Sequence, residues 1–192
     1  TRSDCGVGYR DSVFKHKFRD QFIILNVTFQ MRKYPRFNTG YGAIVQELEK
    51  MGVKELSSKA VSDAVIRIRT SKLPDPTIVG NAGSFFKNPQ VSLDKYQELK
   101  QQFPDIIAYP MAGSGMKLSA GWLIEHSGPG SDEKISWKGY RAGDAGCYEK
   151  QALVLVNYGK ASGNEIYNLA EQIRLSVKIK YDITLETEVN VI

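Results

Sequence analysis

Two stretches of this chain alternate between apolar and polar side chains, which is the pattern of a strand with one buried face. The first runs from Ile23 to Met31, and the second runs from Ile183 to Val191. In the second stretch, Glu186 and Glu188 fall on the polar face. A wholly apolar run from Leu153 to Val156 is typical of a strand that is buried on both faces. The pattern therefore predicts strands at these three positions.

Helical spacing of apolar residues predicts five helices in the rest of the chain. The clearest begins at Ser162, where Glu165, three residues further on, completes a capping box. Helices and strands intermix along the sequence, which favours an α+β domain over residues 43–192. Segment 34–42, with its Gly, Pro and Asn residues, predicts a loop between this domain and residues 1–36. The other four predicted helices are Ala43–Met51, Lys59–Thr70 with Ser57 or Ser58 as its N-cap, Ser92–Phe103 and Ser119–His126.

The composition is that of a soluble globular protein. The 192 residues are 42% hydrophobic and 24% charged, and they suffice for one sizeable core. No apolar run approaches the length needed to cross a bilayer, so we expect no membrane partner. Cys5 and Cys147 stand in no metal-ligand spacing, and only His16 and His126 could join them, so we expect no metal site. Two cysteines also suit a reducing compartment better than a disulfide framework.

The formal net charge of +5 favours an anionic partner. A phosphorylated small molecule and a nucleic acid both fit that charge, and a mildly basic surface without a ligand fits it equally well. Lys and Arg are scattered among acidic residues, and no basic run or basic–aromatic repeat appears. Nucleic-acid binding usually needs a contiguous basic face, so we expect no nucleic-acid partner.

The segment from Gly80 to Pro89 has the most informative chemistry in the chain. Its glycines allow a tight turn and a close approach to a ligand, and Phe85 and Phe86 are expected to anchor it in the core. Between them, Ser84 is a candidate nucleophile or proton donor. A nucleophile needs a neighbouring base, and the chain has only two histidines and no Gly-x-Ser-x-Gly motif. A proton donor remains possible, although the residues alone favour a serine that only satisfies the amides of a turn.

Other candidate residues each have an ordinary structural explanation beside the functional one. Arg10, next to Tyr9, could grip an oxyanion or simply face solvent. Lys72 could meet a phosphate, or it could interact with a helix dipole. Tyr41, between two glycines, could close over a ligand or pack on the surface. Glu188 could be an acid, a base or a charge stabiliser, or one more solvated glutamate.

Taken in order, seven segments of the chain resemble motifs of the UDP-N-acetylenolpyruvoylglucosamine reductase (MurB) family, in its longer-loop type. The resemblance covers essentially the whole chain, and chance matching of seven ordered motifs is implausible. It implies a substrate-binding domain of the α+β class. The segments are Cys5–Lys15, Asn38–Leu48, Arg67–Pro76, Gly80–Pro89, Ala120–Glu125, Gln151–Val154 and Leu185–Val189.

The resemblance implies a specific reaction. Members of this family reduce the enolpyruvyl double bond of UDP-N-acetylglucosamine enolpyruvate to form UDP-N-acetylmuramate. They use NADPH and FAD, and they act in the cytoplasm of bacteria in peptidoglycan synthesis, a process that supports cell shape and division. An alternative is a non-catalytic UDP-sugar-binding module with the same fold.

The resemblance also implies roles for individual residues. Ser84 corresponds to the proton donor, and Arg10 and Glu188 correspond to groups that stabilise an enolate-like intermediate. The remaining matched positions contact substrate in the family. They are Tyr9, Tyr41, Lys72, Asn88 and Gln151.

This sequence departs from the family pattern in two places. The glycine-rich flavin-binding sequence is not found, so we expect residues 1–36 to be the C-terminal remnant of an FAD-binding domain and residues 43–192 to be the substrate-binding domain. On this interpretation the chain alone binds no cofactor and is inactive, and its apolar segment Ile23–Met31 favours self-association. The sequence Cys147–Glu149, just before Gln151, is also unlike the family pattern.

Overall fold

A computed structural model describes residues 1–8, 10–40, 43–111, 113–130 and 135–191. These residues form two compact units, Thr1–Phe37 and Asn38–Ile192. The first unit contains a short 3₁₀ turn at Val13–Lys15, tied to the preceding loop by a hydrogen bond from the Val13 amide to the Cys5 carbonyl. Phe14 and Phe18 each pack edge-on against Phe22.

The predicted strand at Ile23–Met31 is wrong. Residues 23–31 adopt no regular structure, and their side chains are largely exposed, with Ile23 at 88% and Leu25 at 87% of full exposure. A strand is stabilised by a hydrogen-bonded neighbour, and in the described part of the first unit no segment pairs with these residues. The alternating pattern therefore does not produce a strand here.

The five predicted helices all form in the second unit. Serine side chains begin four of them, because each accepts a hydrogen bond from the amide three residues on, and Ser162 and Glu165 complete the predicted capping box. None of the described helices is both long and apolar enough to cross a membrane. The helices are α1 (Ile44–Lys50), α2 (Ser58–Lys72), α3 (Leu93–Gln102), α4 (Ala120–Glu125) and α5 (Gly163–Tyr181).

Two antiparallel sheets complete the second unit. The larger has the strand order β1-β7-β6-β5, and the smaller has the order β2-β4-β3. The buried run that predicted a strand forms β7, and the mixture of helices with antiparallel sheets confirms the α+β class. The strands are β1 (Gly80–Ser84), β2 (Gln90–Ser92), β3 (Ala108–Pro110), β4 (Gly115–Leu118), β5 (Arg141–Ala142), β6 (Ala145–Cys147) and β7 (Val154–Asn157).

The main core lies between α5 and the larger sheet. Leu169, Ile173 and Val177 of α5 are buried there at the spacing of one helix face, together with Leu155 of β7. Helices α1 and α2 pack on each other around a separate small cluster that consists of Ile44, Leu48 and Ala64.

The predicted C-terminal strand is much shorter than its alternating pattern. Over Ile183–Val191, only an isolated bridge between Thr187 and Phe86 is formed. Continuing that antiparallel register would place Pro89 in the ladder, and proline has no amide hydrogen to donate. The Pro89 carbonyl instead accepts a hydrogen bond from Leu118 of β4, so the chain leaves the larger sheet there.

Candidate active site

Ser84 is the last residue of β1 and lies directly after a bulge. Asn81 pairs with Val156 of β7, and Ser84 pairs with Val154. Between these two pairs β1 advances by three residues and β7 by two, so β1 contains one extra residue, which is a β-bulge. Gly83 lies inside the bulge with a φ of +74°. This left-handed conformation favours glycine, so the backbone requires a glycine at position 83.

Ser84 is half-buried beside two anchored aromatic rings. Phe85 and Phe86 are 6% and 1% exposed, as predicted, and their rings pack edge to face. The Phe85 amide donates a 2.8 Å hydrogen bond to the Leu153 carbonyl, which fixes the backbone next to the serine. Among the described residues, no group hydrogen-bonds to Ser84 Oγ. Every buried side-chain oxygen of the described residues has a hydrogen-bond partner, so an oxygen without one cannot be buried. The hydroxyl of Ser84 therefore reaches solvent. It is thus available to a ligand.

Glu188 belongs to the segment that lies along the other edge of Phe85–Lys87. Its amide donates to the Phe85 carbonyl at 2.8 Å, and the Lys87 amide donates to the Glu186 carbonyl at the same distance. An ion pair of 3.0 Å between Lys87 Nζ and Glu186 Oε2 reinforces this register. The structure therefore brings Glu188 alongside the residue that follows Ser84, although the two positions are more than a hundred residues apart in sequence.

Asn88 and Gln151 each lie against the first residues of α4. Asn88 Oδ1 accepts a 2.9 Å hydrogen bond from the amide of Ala120, the first residue of that helix. Gln151 Oε1 lies against Gly121, where an added Cβ would come within 3.0 Å of it. Both amide oxygens thus serve the fold, while the two amide nitrogens have no hydrogen-bond partner among the described residues. Those nitrogens remain able to donate to a ligand.

Lys72 and Arg10 belong to other elements of the chain. Lys72 is the exposed last residue of α2, which ends at the Leu73 cap before the buried Pro74. Arg10 belongs to the first unit, with a φ of +56°, and its carbonyl accepts a hydrogen bond from Lys15 Nζ at 2.7 Å. The remaining two predicted site residues, Tyr9 and Tyr41, lie outside the described residues.

The structure adds one residue that sequence reasoning missed. The side chain of Asn81 accepts a hydrogen bond from the Gly83 amide at 3.1 Å and donates one to the Val79 carbonyl at 2.9 Å. An asparagine two residues before a glycine is a known indication of such a turn, because its short amide mimics the backbone. That pattern in Gly80–Gly83 could have identified it.

Cys147 explains the unusual sequence before Gln151. The cysteine is buried, and its thiol donates a hydrogen bond to the Ala152 carbonyl at 2.9 Å. Burial raises the pKa of this thiol to about 12, so it stays protonated and unreactive at neutral pH. This hydrogen bond stabilises the turn that contains Gln151. In the same turn, the backbone amide of Gln151 donates a hydrogen bond to the Tyr148 carbonyl.

A separate cleft of about 980 Å³ opens between α4, α5 and the segments that flank them. Trp122, His126, Leu175 and Tyr181 are among its lining residues. None of the described candidate residues lines this cleft. Its serine and tyrosine hydroxyls and the indole of Trp137 are hydrogen-bonded within the protein, for example Trp137 Nε1 to Ser176 Oγ at 2.6 Å. The candidate residues described above lie outside this cleft, so the proposed chemistry is placed at Ser84.

Two arrangements that hold common bound groups, a metal ligand set and a glycine-rich dinucleotide loop, are not found among the described residues. Nowhere in the described ranges do three His, Cys, Asp or Glu side chains gather as a metal ligand set would. A flavin dinucleotide is usually held by a glycine-rich loop that leads into a helix N-terminus. Here Gly80–Gly83 continues as a strand, and serine caps occupy the first turns of α2 to α5. No site for FAD is therefore derived from this part of the chain.

Comparison with known proteins supplies the family. Residues 75–192 match the family model of the UDP-N-acetylenolpyruvoylglucosamine reductase C-terminal domain. The resemblance stated from the motifs, including its restriction to the C-terminal portion, is therefore confirmed.

Proteins named UDP-N-acetylenolpyruvoylglucosamine reductase are similar over nearly the whole chain. The one from Pseudomonas syringae pv. tomato is 46% identical over 187 residues, which are 97% of this chain and 52% of the relative. The one from Amoebophilus asiaticus is 47% identical over 188 residues, 98% of this chain and 53% of the relative. The one from Flavobacterium johnsoniae is 45% identical over 193 residues, 100% of this chain and 55% of the relative. The chain thus spans about half the length of these curated relatives.

Proposed function

We propose that this chain, which belongs to the UDP-N-acetylenolpyruvoylglucosamine reductase family, is the substrate-binding and catalytic portion of a reductase of peptidoglycan synthesis. Its substrate is UDP-N-acetylglucosamine enolpyruvate, and its product is UDP-N-acetylmuramate. The observation that carries the proposal is the placement of Ser84. A solvent-accessible hydroxyl stands on a bulged, well-anchored strand, and Glu188 is fastened beside it.

Reduction of the enolpyruvyl double bond needs one hydride and one proton. The hydride adds to one alkene carbon, and the electron pair of the broken π bond moves to the carbon that bears the carboxylate, where it spreads as an enolate. Ser84 Oγ–H then gives its proton to that carbon, and the serine oxygen recovers a proton from water. A proton donor held in place by a rigid backbone needs little reorganisation at this moment.

Arg10 and Glu188 stabilise the negative charge of the intermediate in this proposal. A guanidinium does so with its positive charge and its paired donors. A carboxyl group does so by donating a hydrogen bond, because a carboxylate would repel the enolate. Groups in these roles are most effective when they are held in place before the charge develops part-way through the reaction.

The substrate's diphosphate is bound by amide and amine donors. The nitrogens of Asn88 and Gln151, gathered at the start of α4, are suited to donate to phosphate oxygens. Lys72, with its positive charge, and Tyr41 are proposed as further contacts to the diphosphate, and Tyr9 is proposed as a further substrate contact. Together these donors give specificity for a nucleotide-linked sugar.

The hydride comes from outside this chain. In the full-length enzyme we assign it to NADPH and FAD, and we place the enzyme in the cytoplasm. The residues described here handle the proton, the charge and the substrate. The chain by itself is therefore expected to be inactive.

The experiment that tests this function replaces Ser84 by alanine in the full-length reductase. Reduction of FAD by NADPH does not use the proton donor and should keep its rate. Alkene reduction should fall by about 10²–10⁴-fold, the usual contribution of general acid catalysis. Ser71→Ala, which removes an exposed hydroxyl that bonds only to the Ile68 carbonyl, is the control and should be normal in both.

Two outcomes would overturn the proposal. Equal losses in both half-reactions would make Ser84 a folding residue. Tight binding of UDP-N-acetylglucosamine enolpyruvate without any reduction in the full-length wild-type protein would favour the alternative, a UDP-sugar-binding module.

A further inference from the structure

We infer that Asn81 is a positioning residue, whose side chain holds the bulge that places Ser84. The inference rests on the proposed role of Ser84 as proton donor. Asn81 does not need to touch the substrate, because it acts through the backbone of Gly83.

The Asn81 side chain uses both of its polar ends inside the bulge. Its oxygen accepts from the Gly83 amide at 3.1 Å, and its nitrogen donates to the Val79 carbonyl at 2.9 Å. Residues 82 and 83 are exposed, whereas Asn81 is half-buried. A single half-buried amide thus connects the two sides of the segment that leads into Ser84.

The bulge decides where Ser84 lies in the sheet. A regular ladder continued from the Asn81–Val156 pair would place Gly83 opposite Val154 and Ser84 opposite Leu153. The observed partner of Ser84 is Val154 instead. Since successive side chains of a strand point to opposite faces, a slip of one residue would exchange the face of Ser84 with that of its neighbour.

Gly83 alone does not impose this geometry. A glycine at φ +74° is permitted in that conformation, but glycine populates many others as readily. The hydrogen bond from the Gly83 amide to Asn81 Oδ1 selects the bulged conformation from among them. A misplacement of about 1 Å can reduce a rate by about 10²-fold, so even a small population shift is visible in catalysis.

The test uses Asn81→Ala and Asn81→Asp in the full-length reductase, with Asn157→Ala as the matched control. Asn157, at the end of β7, makes bonds of the same kind: its oxygen accepts from the Gly159 amide at 3.0 Å, and its nitrogen donates to the Ala161 carbonyl at 2.7 Å. Its backbone pairs with Gly80, but its side chain bonds only to the turn at Gly159 and Ala161 that leads to α5. The control therefore removes an equivalent side-chain amide without loosening the bulge.

We expect Asn81→Ala to lower kcat for alkene reduction by at least about ten-fold, within the range that misplacement of a reacting group produces. The KM for the UDP-sugar should change little, and reduction of FAD by NADPH should not change. Asn157→Ala should leave kcat at the wild-type value, even if its loss of resistance to urea is similar. Asn81→Asp keeps the oxygen that bonds to Gly83 and should recover much of the lost kcat.

Two results would overturn the inference. One is a normal kcat for Asn81→Ala, and the other is an equal loss of kcat in Asn81→Ala and Asn157→Ala. Ser84→Ala in the same assay separates this inference from the proposed function. If Ser84→Ala abolishes alkene reduction and Asn81→Ala does not affect it, only the positioning role fails.

Amide exchange in the chain itself provides a measurement that needs no catalysis. The Gly83 amide should exchange slowly in the wild-type chain and in Asn81→Asp, and rapidly in Asn81→Ala. Unchanged protection of Gly83 in Asn81→Ala would contradict the inference even if the full-length variants fold poorly.

Discussion

The backbone amide of Glu188 donates a 2.8 Å hydrogen bond to the carbonyl oxygen of Phe85. Phe85 is itself tied on its other side, through its amide, to Leu153 next to β7. The residue after the candidate proton donor is thus held between the larger sheet and the C-terminal segment. Because Glu188 is positioned by backbone bonds, its side chain can be changed without releasing the segment.

Replacing the Glu188 side chain therefore keeps the backbone bond that holds this segment against Phe85. We expect Glu188→Ala to lower alkene reduction by about 10²–10³-fold, the loss usually seen when a donor to a developing oxyanion is removed. Glu188→Gln keeps a hydrogen-bond donor and should lose less. Steady-state rates of the full-length enzyme measure both variants.

Glu186→Gln is the control for this comparison. It is two residues away, and it removes an exposed ion pair with Lys87 that contributes no more than about 1 kcal/mol. Its rate should match the wild type. A wild-type rate for Glu188→Ala would show that Glu188 takes no part in the reaction.

Asn88 should show separate effects on stability and on substrate binding. Asn88→Ala leaves the buried Ala120 amide without its partner, and the free energy of unfolding should fall by about 1–3 kcal/mol. Asn88→Asp keeps the accepting oxygen and should be nearly as stable as the wild type. In Asn88→Asp, however, a negatively charged oxygen replaces the amide nitrogen that is proposed to donate to the substrate phosphate. KM should therefore rise by at least about ten-fold, which corresponds to the loss of one hydrogen bond to a charged group.

Urea unfolding of the chain and substrate titration of the full-length enzyme measure the two effects. An unchanged KM in Asn88→Asp would remove Asn88 from the substrate site and leave it only its bond to α4.

Cys147 predicts a loss of stability at alkaline pH. Burial raises the pKa of its thiol from 9.0 to about 12 in the folded chain, so the folded state holds this proton more tightly than the unfolded state. The contribution is complete below pH 9 and declines as the pH rises from 9 toward 12. Unfolding free energies measured across this interval should therefore fall.

Cys147→Ser isolates the contribution of the thiol, because a serine hydroxyl can still donate to the Ala152 carbonyl and does not titrate there. Its alkaline slope should be shallower than that of the wild type. Burial also raises the pKa of Tyr181, which is present in both proteins and cancels in the difference. Identical slopes would show that Cys147 does not titrate differently in the two states.

The exposed segment Ile23–Met31 predicts self-association of the chain. Its apolar side chains, including Phe29 at 76% and Met31 at 83% exposure, form a continuous stretch without cover in the described part of the first unit. Light scattering should give a mass that rises with concentration for the whole chain. A version that starts at Ala43 should remain monomeric. A monomeric whole chain over a wide range of concentration would contradict this prediction.

Local sequence patterns predicted the helices well, because each N-cap interaction is made between residues that are close in sequence. Ser57, Ser92, Ser119 and Ser162 each bond to an amide three positions away, so a short window of sequence contains the whole interaction. The anchoring of Phe85 and Phe86 was likewise predictable from their size and apolar character.

Strands were harder to predict, because their stability depends on partners that are distant in sequence. Ile23–Met31 has a clear alternating pattern but no paired neighbour in its described unit, whereas the short β2 lacks a clear pattern and is stabilised by pairing with β4. The bulge before Ser84 also depends on β7, more than seventy residues away. The chemistry of the serine could be proposed from its motif, but its placement required the sheet.

Gly121 has a consequence for how this site can vary among related enzymes. A methyl group there would come within 3.0 Å of Gln151 Oε1, so even alanine forces the glutamine amide to shift. With Gln151 in its proposed role as a substrate contact, a substitution at Gly121 would alter substrate affinity by displacing that side chain. Every substitution at position 121 would displace Gln151 in this way, because all residues other than glycine have a Cβ atom.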